Sequence, residues 1–377
     1  MTNPLPADPP PRCRAEVDLV SLCENARVLA SLAGPGCGIM AIVKANAYGH
    51  GLPEVVAALA DRFSWFGVAN FHEAKCARAA VGGRAAEFLI LGPAAPEEVE
   101  LIVAEGFHGS VSLPEEVDAY SAAAEKLGLA ARLHAVVDTG MGRMGALPDA
   151  FPALVERIRR DPFCRLDGIA SHFPSADEDK LFTRNQIARF RSLLESVRPE
   201  PGCHIHLSNS AGLLGFQEEM PFATLARPGL ALYGVSPLPR VGRDLKPVMS
   251  LKTRVTLVRD LPAGTGVSYG RTFVTSRPTR VATLAAGYGD GYPRHLSGQS
   301  VSVLVGGKRC PLLGRVTMDQ ILVDVSRMDG VKRGDEAVLI GCQGDEDISV
   351  EEIAEKAGTI PWEILTGITS RVVRVYR

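Results

Sequence analysis

Short runs of apolar, often β-branched residues recur along the first two-thirds of the chain, and most of them end in a polar residue or a glycine. The runs end at Lys44, Asn70, Gly92, Leu113, Asp138, His172, Asn209 and Arg227. Their mean spacing of about 26 residues is close to the ~30 of a strand–helix–strand unit. Segments of helical periodicity lie before and between the runs, for example at 18–33, 96–106 and 148–161. The pattern therefore predicts eight strands that alternate with eight helices.

Eight such units favour a closed (β/α)8 barrel of the TIM type over an open doubly wound sheet. From about Ser236 onward the pattern changes to strands separated by Gly and Pro turns, with one helix at 349–358 and a closing strand. We therefore predict a flexible Pro-rich tail over residues 1–13, a barrel over 14–236 and a second, mostly β domain over 237–377.

The charge balance narrows the range of partners. Forty-one basic and 43 acidic residues leave a net charge of −2, without the clustered Lys and Arg that nucleic acid or an anionic membrane would demand.

No segment reaches the ~18 consecutive apolar residues of a spanning helix, and the start of the chain lacks the pattern of a secretory leader. The eight cysteines form no C-x-x-C pair. We expect reduced thiols, no metal site and a cytoplasmic location.

Two short motifs suggest other chemistry. The glycines of 140–145 fit the dinucleotide fingerprint G-x-G-x-x-G, but they follow the fifth strand rather than opening the fold, and they face Asp138. Residues 266–270 fit the G-x-S-x-G nucleophile elbow of serine hydrolases, but a turn into strands follows and the only later histidine is His295. We expect neither activity.

The strongest chemical signal lies at the predicted strand ends, because the active sites of such barrels gather there. Burial in the barrel mouth should depress the pKa of Lys44, which suits a lysine that forms a Schiff base. The Gly- and Ser-rich segments 206–212 and 227–234 follow the seventh and eighth strands, where barrels commonly bind a phosphate. An imine-forming lysine and a phosphate site on one face together suggest pyridoxal 5'-phosphate.

Two further strand-end residues fit this cofactor. Arg227 could meet the pyridine nitrogen, and because arginine stays protonated it would keep that nitrogen an acceptor. His172 could stack on the ring, although a core histidine bonded to a backbone carbonyl is the structural alternative.

Several segments of the chain resemble alanine racemase motifs, in the order found in that family. They are AIVKANAYGHG, DTGMGRMG, SHFPSADE, HLSNSAG, RPGLALYG, GVSYGRTF, AAGYGDGYPR and GRVTMDQ. The resemblance extends from about Arg14 to Tyr376. It implies a pyridoxal phosphate-dependent enzyme that interconverts L- and D-alanine and supplies D-alanine for peptidoglycan. It also implies a head-to-tail homodimer in which the β domain of each subunit completes the active site of the other.

The resemblance further implies roles for the matching residues around the cofactor. Lys44 would carry the cofactor, and Arg227, supported by His206, would face its pyridine nitrogen. His172 would link Tyr269 of the partner copy to Arg227. The cofactor phosphate would be held by Tyr48, Ser210, Gly229 and Leu230.

Other matching residues would act on the amino-acid substrate. Arg143 would bind its carboxylate, helped by the backbone of Met318, and Tyr288 would narrow the access to the site. Lys44 and Tyr269 would be the two bases, because inverting a stereocentre by proton transfer requires one base on each face of a planar carbanion. A phenol of pKa ~10 is a poor base at neutral pH unless positive charge is near. Without the resemblance, a tyrosine that caps a turn would be the simpler interpretation of Tyr269.

The chain also departs from the family. Val136 occupies the position of a lysine that is often carbamylated and supports the substrate-binding arginine, so we expect activity indifferent to bicarbonate. Ser370 and Trp362 replace frequent tyrosines, which predicts a pocket kept to small side chains, and Thr317 replaces a frequent cysteine.

Three alternative activities follow from the same motifs. A broad-specificity or serine racemase would share the chemistry, and amino-acid decarboxylases share the architecture. A non-enzymatic pyridoxal phosphate-binding protein would have the barrel alone, and residues 240–377 argue against it.

Overall fold

The computed structural model of the protein describes residues 10–238, 241–242 and 244–377. Strand β1 (Cys13–Val17) and helix α1 (Leu19–Ala33) come first. Residues 1–9 of the predicted tail lie outside the described residues, and Cys13 already belongs to a strand. No helix in the described part of the chain is long and apolar enough to cross a membrane.

Eight parallel strands form the sheet of the first compact unit, Val20–Lys246. They are β2 (Gly38–Ile42), β3 (Trp65–Val68), β4 (Glu87–Ile90), β5 (His108–Val111), β6 (Ala131–Val136), β7 (Cys164–Ala170), β8 (His204–His206) and β9 (Leu225–Ala226). Their order is β8-β7-β6-β5-β4-β3-β2-β9. Between β8 and β9, the amide of Thr224 donates to the carbonyl of Ile205 at 2.8 Å. The sheet thus closes almost completely, which confirms the predicted barrel.

Helices follow the strands of this barrel. They are α2 (Lys44–Tyr48), α3 (Leu52–Leu59), α4 (Phe71–Ala80), α5 (Pro96–Ala104), α6 (Pro114–Leu127), α7 (Phe151–Arg160), α8 (Lys180–Val197) and α9 (Ser210–Phe216). Helix α7 is typical, because its buried residues recur with the helical period at Phe151, Leu154, Val155 and Ile158. Burying each such side chain contributes about 1.5–3 kcal/mol. Packing of this kind positions the strands whose ends carry the site.

The second unit consists of Pro247–Arg377 and the described residues up to Leu19. Its strands are β1 and β10 (Met249–Leu261), β11 (Gly266–Val267), β12 (Phe273–Val274), β13 (Thr279–Leu284), β14 (Ser302–Val305), β15 (Lys308–Pro311), β16 (Ile321–Asp324), β17 (Glu336–Gln343), β18 (Glu346–Ile348) and β19 (Val373–Tyr376). The predicted helix is α10 (Val350–Ala357), which Ser349 caps by accepting from the amide of Glu352. A second helix, α11 (Pro361–Thr366), was not predicted.

The long strand β10 organises this second unit. It pairs with β1 and β17 along its first half and with β13 along its second half, and a register shift between Val255 and Leu257 lies within the pairing with β13. Its side chains alternate between buried and less buried positions, as expected of a strand with one face in a core. The mostly β domain predicted from the sequence is therefore confirmed.

The compact units of the structure divide the chain at residues other than the predicted boundaries. Strand β1 lies between β10 and β19, so the barrel unit starts after it rather than at residue 14. At the other end, the barrel unit continues to Lys246 instead of stopping at 236. The side-chain amide of Asn25 donates to the carbonyls of Leu232 at 3.2 Å and Lys246 at 2.8 Å, and its oxygen accepts from the amide of Lys246. These bonds fasten the last segment of the unit to α1.

Candidate active site

The predicted site residues of the barrel converge at the carboxyl ends of its strands. Lys44 follows β2 and Arg227 follows β9, and these two strands are neighbours in the sheet. Lys44 is half-buried, and burial, with Arg143 and Arg227 nearby, lowers the pKa of its amine, while Glu73 opposes the shift. The lowered pKa leaves more of the amine uncharged and nucleophilic at neutral pH.

The chain leaves Lys44 in a left-handed turn, which the sequence analysis did not predict. Residues 45–48 all have φ of 53°, a conformation that costs roughly 1–2 kcal/mol per residue for side chains other than glycine. Local hydrogen bonds offset part of this cost. The amide of Ala45 donates to Glu73 at 2.8 Å, and the side chain of Asn46 accepts from the amide of Leu52 at 2.9 Å. Such strain is typical of functional sites.

The turn places Tyr48 against the segment predicted to bind phosphate. The Tyr48 ring is buried and stacks on Tyr233 at 5.0 Å between ring centroids. A Cβ atom on Gly229 would lie 2.3 Å from the Tyr48 hydroxyl, so glycine is required there. The Ser210 hydroxyl accepts from the amides of Gly229 at 3.0 Å and Ala231 at 3.1 Å. The structure therefore brings Tyr48, Ser210, Gly229 and Leu230 into one buried group.

Arg227 is buried and well supplied with acceptors. It donates to Nδ1 of His206 at 2.7 Å, to the carbonyl of Ser171 at 2.7 Å and to Nδ1 of His172 at 3.1 Å. Burial, with Arg143 nearby, lowers its pKa to about 10, so the guanidinium stays charged at neutral pH. Burial and Arg227 lower the pKa of His172 to about 3. His172 is therefore neutral and can relay a hydrogen bond but adds no charge of its own.

The loop that carries Arg143 is built around Asp138. The Asp138 carboxylate accepts from the amides of Gly140 at 2.8 Å, Met141 at 2.7 Å and Gly142 at 2.8 Å. These amides are the ones a pyrophosphate would need, and the next helix begins only at Phe151. The glycine motif therefore shapes a loop that exposes Arg143, not a dinucleotide site.

Gln186 of helix α8 supports the same loop, and the sequence analysis missed it. Its side-chain amide donates to Oγ1 of Thr139 at 3.1 Å and to the carbonyl of His172 at 3.3 Å. The Thr139 hydroxyl also contacts the Ser171 hydroxyl at 2.7 Å. Gln186 is buried and joins the Arg143 loop to the strand end that carries His172. It lies in the middle of a helix rather than at a strand end, so the strand pattern could not indicate it.

Three predicted residues lie together in the second unit. Tyr269, Tyr288 and Met318 are 72%, 40% and 51% exposed and line one cavity of about 850 Å³. Its lining also includes Cys13, Asp290, Asp319 and Arg371. The Arg371 guanidinium donates to Asp290 and to Asp319 at 2.7–2.9 Å. The cavity thus presents two tyrosines over a charged wall.

The backbone just before Tyr269 is strained. Ser268 has φ of 62° and ψ of −174°, a region occupied almost only by glycine, at a cost of about 1–3 kcal/mol. Its hydroxyl donates to the carbonyl of Arg315 at 2.6 Å, which holds it there. Because this serine sits between two short strands with no following α-helix and donates its proton to the backbone, it is not a nucleophile elbow.

The structure places all four residues at which the chain departs from the resemblance. Val136 is buried at the end of β6, and Ser370 is exposed. Trp362 is half-buried in α11. Thr317 donates from its hydroxyl to the carbonyl of Gln320 within a turn. All eight cysteines have free thiols, and the described residues contain no group of three or more His, Cys, Asp or Glu that could hold a metal ion.

Comparison with known proteins assigns both units to one family. Residues 17–237 match the model of the alanine racemase N-terminal domain, and residues 248–376 match that of the C-terminal domain. An alanine racemase of Halothermothrix orenii is 40% identical over 370 residues, covering 96% of each chain. The crystal structure of alanine racemase from Streptomyces lavendulae is 37% identical, with a TM-score of 0.90 and 98% of each chain covered.

One solved relative contains covalently bound pyridoxal phosphate. The structure of alanine racemase from Bartonella henselae with covalently bound pyridoxal phosphate is 29% identical, with a TM-score of 0.89, and covers 98% of this chain and all of that one. The matches confirm the predicted fold class and the enzyme class, an amino-acid racemase. The chain belongs to the alanine racemase family.

Proposed function

We propose that this protein interconverts L-alanine and D-alanine with pyridoxal 5'-phosphate bound at the mouth of its barrel. The observation that carries the proposal is the convergence of an amine with a lowered pKa, Lys44, with a buried guanidinium, Arg227, on neighbouring strand ends. Membership of the alanine racemase family gives the substrate.

The donors at the barrel mouth fit the cofactor. Hydroxyls of Tyr48 and Ser210 and the backbone of Gly229 and Leu230 form a small, buried, uncharged group suited to a phosphate dianion. A Cβ on Gly229 would fill the place of the Tyr48 hydroxyl. Lys44 would hold the cofactor covalently. Arg227 would face its pyridine nitrogen and, because arginine only donates hydrogen bonds, would keep that nitrogen unprotonated.

The reaction requires a proton to leave one face of the α-carbon and return on the other. When bound, pyridoxal phosphate withdraws electrons from the α-carbon and makes its proton removable. Lys44 Nζ would take or return the proton on one face, because its lowered pKa lets it exist as a free amine near neutral pH. Arg143, exposed on the Asp138 loop, would bind the substrate carboxylate and hold the α-carbon in place.

Tyr269 of a partner copy would serve the opposite face. The exposure of Tyr269, Tyr288 and Met318 around one cavity supports a surface meant to be covered by a second copy of the chain. In this arrangement the backbone of Met318 would assist Arg143, and Tyr288 would narrow the access to the site. Neutral His172 would pass a hydrogen bond between Tyr269 and Arg227, whose charge would favour the phenolate.

The pocket should accept only small side chains. We expect Trp362 to narrow the access, and Ser370 is too short to add a long-range phosphate contact. L-lysine should turn over at least about a hundredfold more slowly than L-alanine, because a closed pocket rejects a long charged chain. Comparable rates for the two would favour the broad-specificity alternative instead.

The test is a chiral assay of the purified protein against a panel of L-amino acids, with visible absorbance recorded in parallel. Wild-type protein should racemise alanine and absorb in the visible when loaded with pyridoxal phosphate. Lys44→Ala should lose the visible absorbance, and its racemisation rate should fall at least about 10⁴-fold. The reason is that the covalent link and one base disappear together. Lys75→Ala is the matched control, because Lys75 is an exposed lysine of α4. Visible absorbance without racemisation of any amino acid would favour the non-enzymatic carrier.

The cellular setting is also part of the proposal. D-alanine made here would enter peptidoglycan, and the eight free thiols are compatible with a reducing cytoplasm. Fractionation of cells that express the full chain would check the location.

A further inference from the structure

A row of three buried histidines extends from Arg227 into the interior of the barrel. Arg227 Nη1 lies 2.7 Å from His206 Nδ1, and His206 Nε2 lies 2.8 Å from His134 Nδ1. His134 Nε2 lies 3.2 Å from His108 Nδ1, and His108 Nε2 lies 3.2 Å from Oε2 of Glu87. Each imidazole is at most 1% exposed. We call His206, His134 and His108 the histidine chain.

The histidine chain connects the two ends of the barrel. Arg227 follows the carboxyl end of β9, whereas His108 and Glu87 are the first residues of β5 and β4. His134 and His206 come from strands on either side of β7, and they meet because β7 has a glycine between them. A Cβ atom on Gly168 would lie 2.2 Å from Nδ1 of His134.

The end groups of the histidine chain dictate where its protons are. Arginine can only donate a hydrogen bond and a carboxylate can only accept one, while a neutral imidazole does each once. His206 must therefore accept at Nδ1 and donate from Nε2, and the same holds in turn for His134 and His108. The reverse order would point a His206 N–H at an Arg227 N–H. Both ends thus require the same tautomer, Nε2–H, at all three positions.

Burial keeps the histidine chain neutral, as this arrangement requires. It lowers the pKa of His134 and His206 well below the ordinary value, and it lowers that of His108 as well. At the far end, hydrogen bonds from His108 and Arg132 lower the pKa of Glu87 to about 2, so it is a carboxylate at any physiological pH.

A second carboxylate, that of Asp167, also approaches His108, but its geometry is poorer. Its Oδ2 lies 3.5 Å from Nδ1 of His108, against 3.2 Å from Nε2 to Glu87. A proton on Nδ1 of His108 would also face the N–H of His134. Asp167 instead accepts from Arg132 at 2.9 Å and from Arg165. It belongs to the same ion cluster as Glu87 but not to the histidine chain.

We infer that the histidine chain positions Arg227, with Glu87 as the fixed end that sets its direction. The inference rests on the proposed role of Arg227 opposite the pyridine nitrogen. The guanidinium is held by an acceptor whose tautomer cannot change, so its remaining N–H groups stay aimed at the cofactor. His134, His108 and Glu87 are thereby positioning residues of the reaction, although they touch neither cofactor nor substrate.

The first test reads the tautomers directly. In ¹⁵N-histidine-labelled protein loaded with pyridoxal phosphate, long-range ¹H–¹⁵N spectra should show Nε2–H and unprotonated Nδ1 for all three histidines. Resonances are assigned from single substitutions. An Nδ1–H or doubly protonated form of His206 or His134 at neutral pH would overturn the inference. Protein that neither binds the cofactor nor racemises alanine would refute the proposed function instead, and the tautomers could still be read.

The second test breaks the histidine chain at its middle. In His134→Asn, the amide oxygen can replace Nδ1 as the acceptor for His206, whereas His134→Leu leaves that buried donor unpaired. We expect kcat to fall about tenfold or more in the leucine variant and at most about threefold in the asparagine variant, with KM for alanine unchanged. Equal kcat values for the two variants would contradict the proposal.

A third comparison remains if the leucine variant does not fold. Glu87→Gln removes the charge at the end of the histidine chain, and Asp167→Asn removes a charge from the same ion cluster without removing a hydrogen bond of the histidine chain. The His206 N–H proton resonance should move upfield in Glu87→Gln, because each bond of a hydrogen-bonded row polarises the next. It should stay in place in Asp167→Asn. Equal shifts in both variants would mean a general electrostatic effect and would overturn the inference.

Discussion

The barrel mouth and the tyrosine cavity, which we propose act together, differ in how completely one chain builds them. At the barrel mouth, Arg227 is buried and held by hydrogen bonds to His206 and His172. Gln186 and Asp138 hold the neighbouring loops. On the tyrosine side, Tyr269 is 72% exposed and follows a strained serine. The barrel mouth is preorganised by its own chain. In the tyrosine cavity the backbone orients Tyr269, but its side chain is left exposed. We therefore expect the two regions to respond differently to substitution.

The largest effect should come from Tyr269→Phe, which removes the proposed second base with little change in the shape of the side chain. Racemisation in both directions should fall about 10²–10⁴-fold, the usual contribution of a positioned acid or base. Exchange of the α-proton with solvent should survive for the enantiomer whose proton Lys44 takes. Deuterium incorporation, followed by mass spectrometry, measures this exchange, and Tyr288→Phe is the control. Equal loss of exchange for both enantiomers would contradict the two-base assignment.

A smaller effect is expected at Ser268, where the contribution of backbone strain can be separated from that of the hydrogen bond. Ser268→Ala keeps a side chain in the glycine-only region but loses the bond to Arg315, whereas Ser268→Gly loses the bond and relieves the strain. A hydrogen bond contributes about 0.5–1.5 kcal/mol, so kcat should fall up to about tenfold in the alanine variant. The thermal midpoint of unfolding should be lower for Ser268→Ala than for Ser268→Gly. A glycine variant that is the less stable of the two would rule out the strain argument.

On the barrel side, Gln186→Met should act through Arg143. The Arg143 loop loses its link to the His172 strand end, so substrate carboxylate binding weakens and KM for alanine should rise about fivefold, which corresponds to one net hydrogen bond. The change in kcat should be smaller than the change in KM. Gln217→Met provides the control, since Gln217 is a half-buried glutamine of the same unit that bonds to Ala33. A selective fall in kcat would mean that Gln186 acts elsewhere.

The smallest effect is expected from bicarbonate. Val136 is buried and has no amine, so no carbamate can form at this position. Activity should stay within about 1.5-fold when bicarbonate is added to carbonate-free enzyme, because no titrating group is created. Sodium chloride at equal ionic strength controls for screening. A reproducible activation by bicarbonate alone would show that another lysine has taken over the role.

The sequence was most informative where a local pattern has one physical cause. Apolar runs of regular spacing indicated the barrel, and strand ends indicated Lys44, His172 and Arg227. It failed where partners are distant along the chain. Strand β1 pairs with residues near 250 and 375, and nothing in its five residues encodes that choice.

The candidate site shows the same division. Tyr48 and Ser210 stand in motifs that can be read directly from the chain. Gln186 and His134 do not, because a buried polar side chain gains its role only from groups that folding brings to it. The left-handed turn after Lys44 was equally hidden, since Ala45 and Ala47 do not prefer positive φ.

The place of β1 in the second unit has a consequence for biosynthesis. This segment leaves the ribosome before the barrel strands, yet its neighbours in the sheet are β10 and β19, which follow the barrel in the chain. At ordinary elongation rates it waits roughly 20–70 s for its last partner. Meanwhile Val20–Lys246 can complete its parallel barrel. A nascent chain stalled before β19 should therefore contain a folded barrel and a strand β1 with one unpaired edge. Chaperones protect exposed edges of this kind.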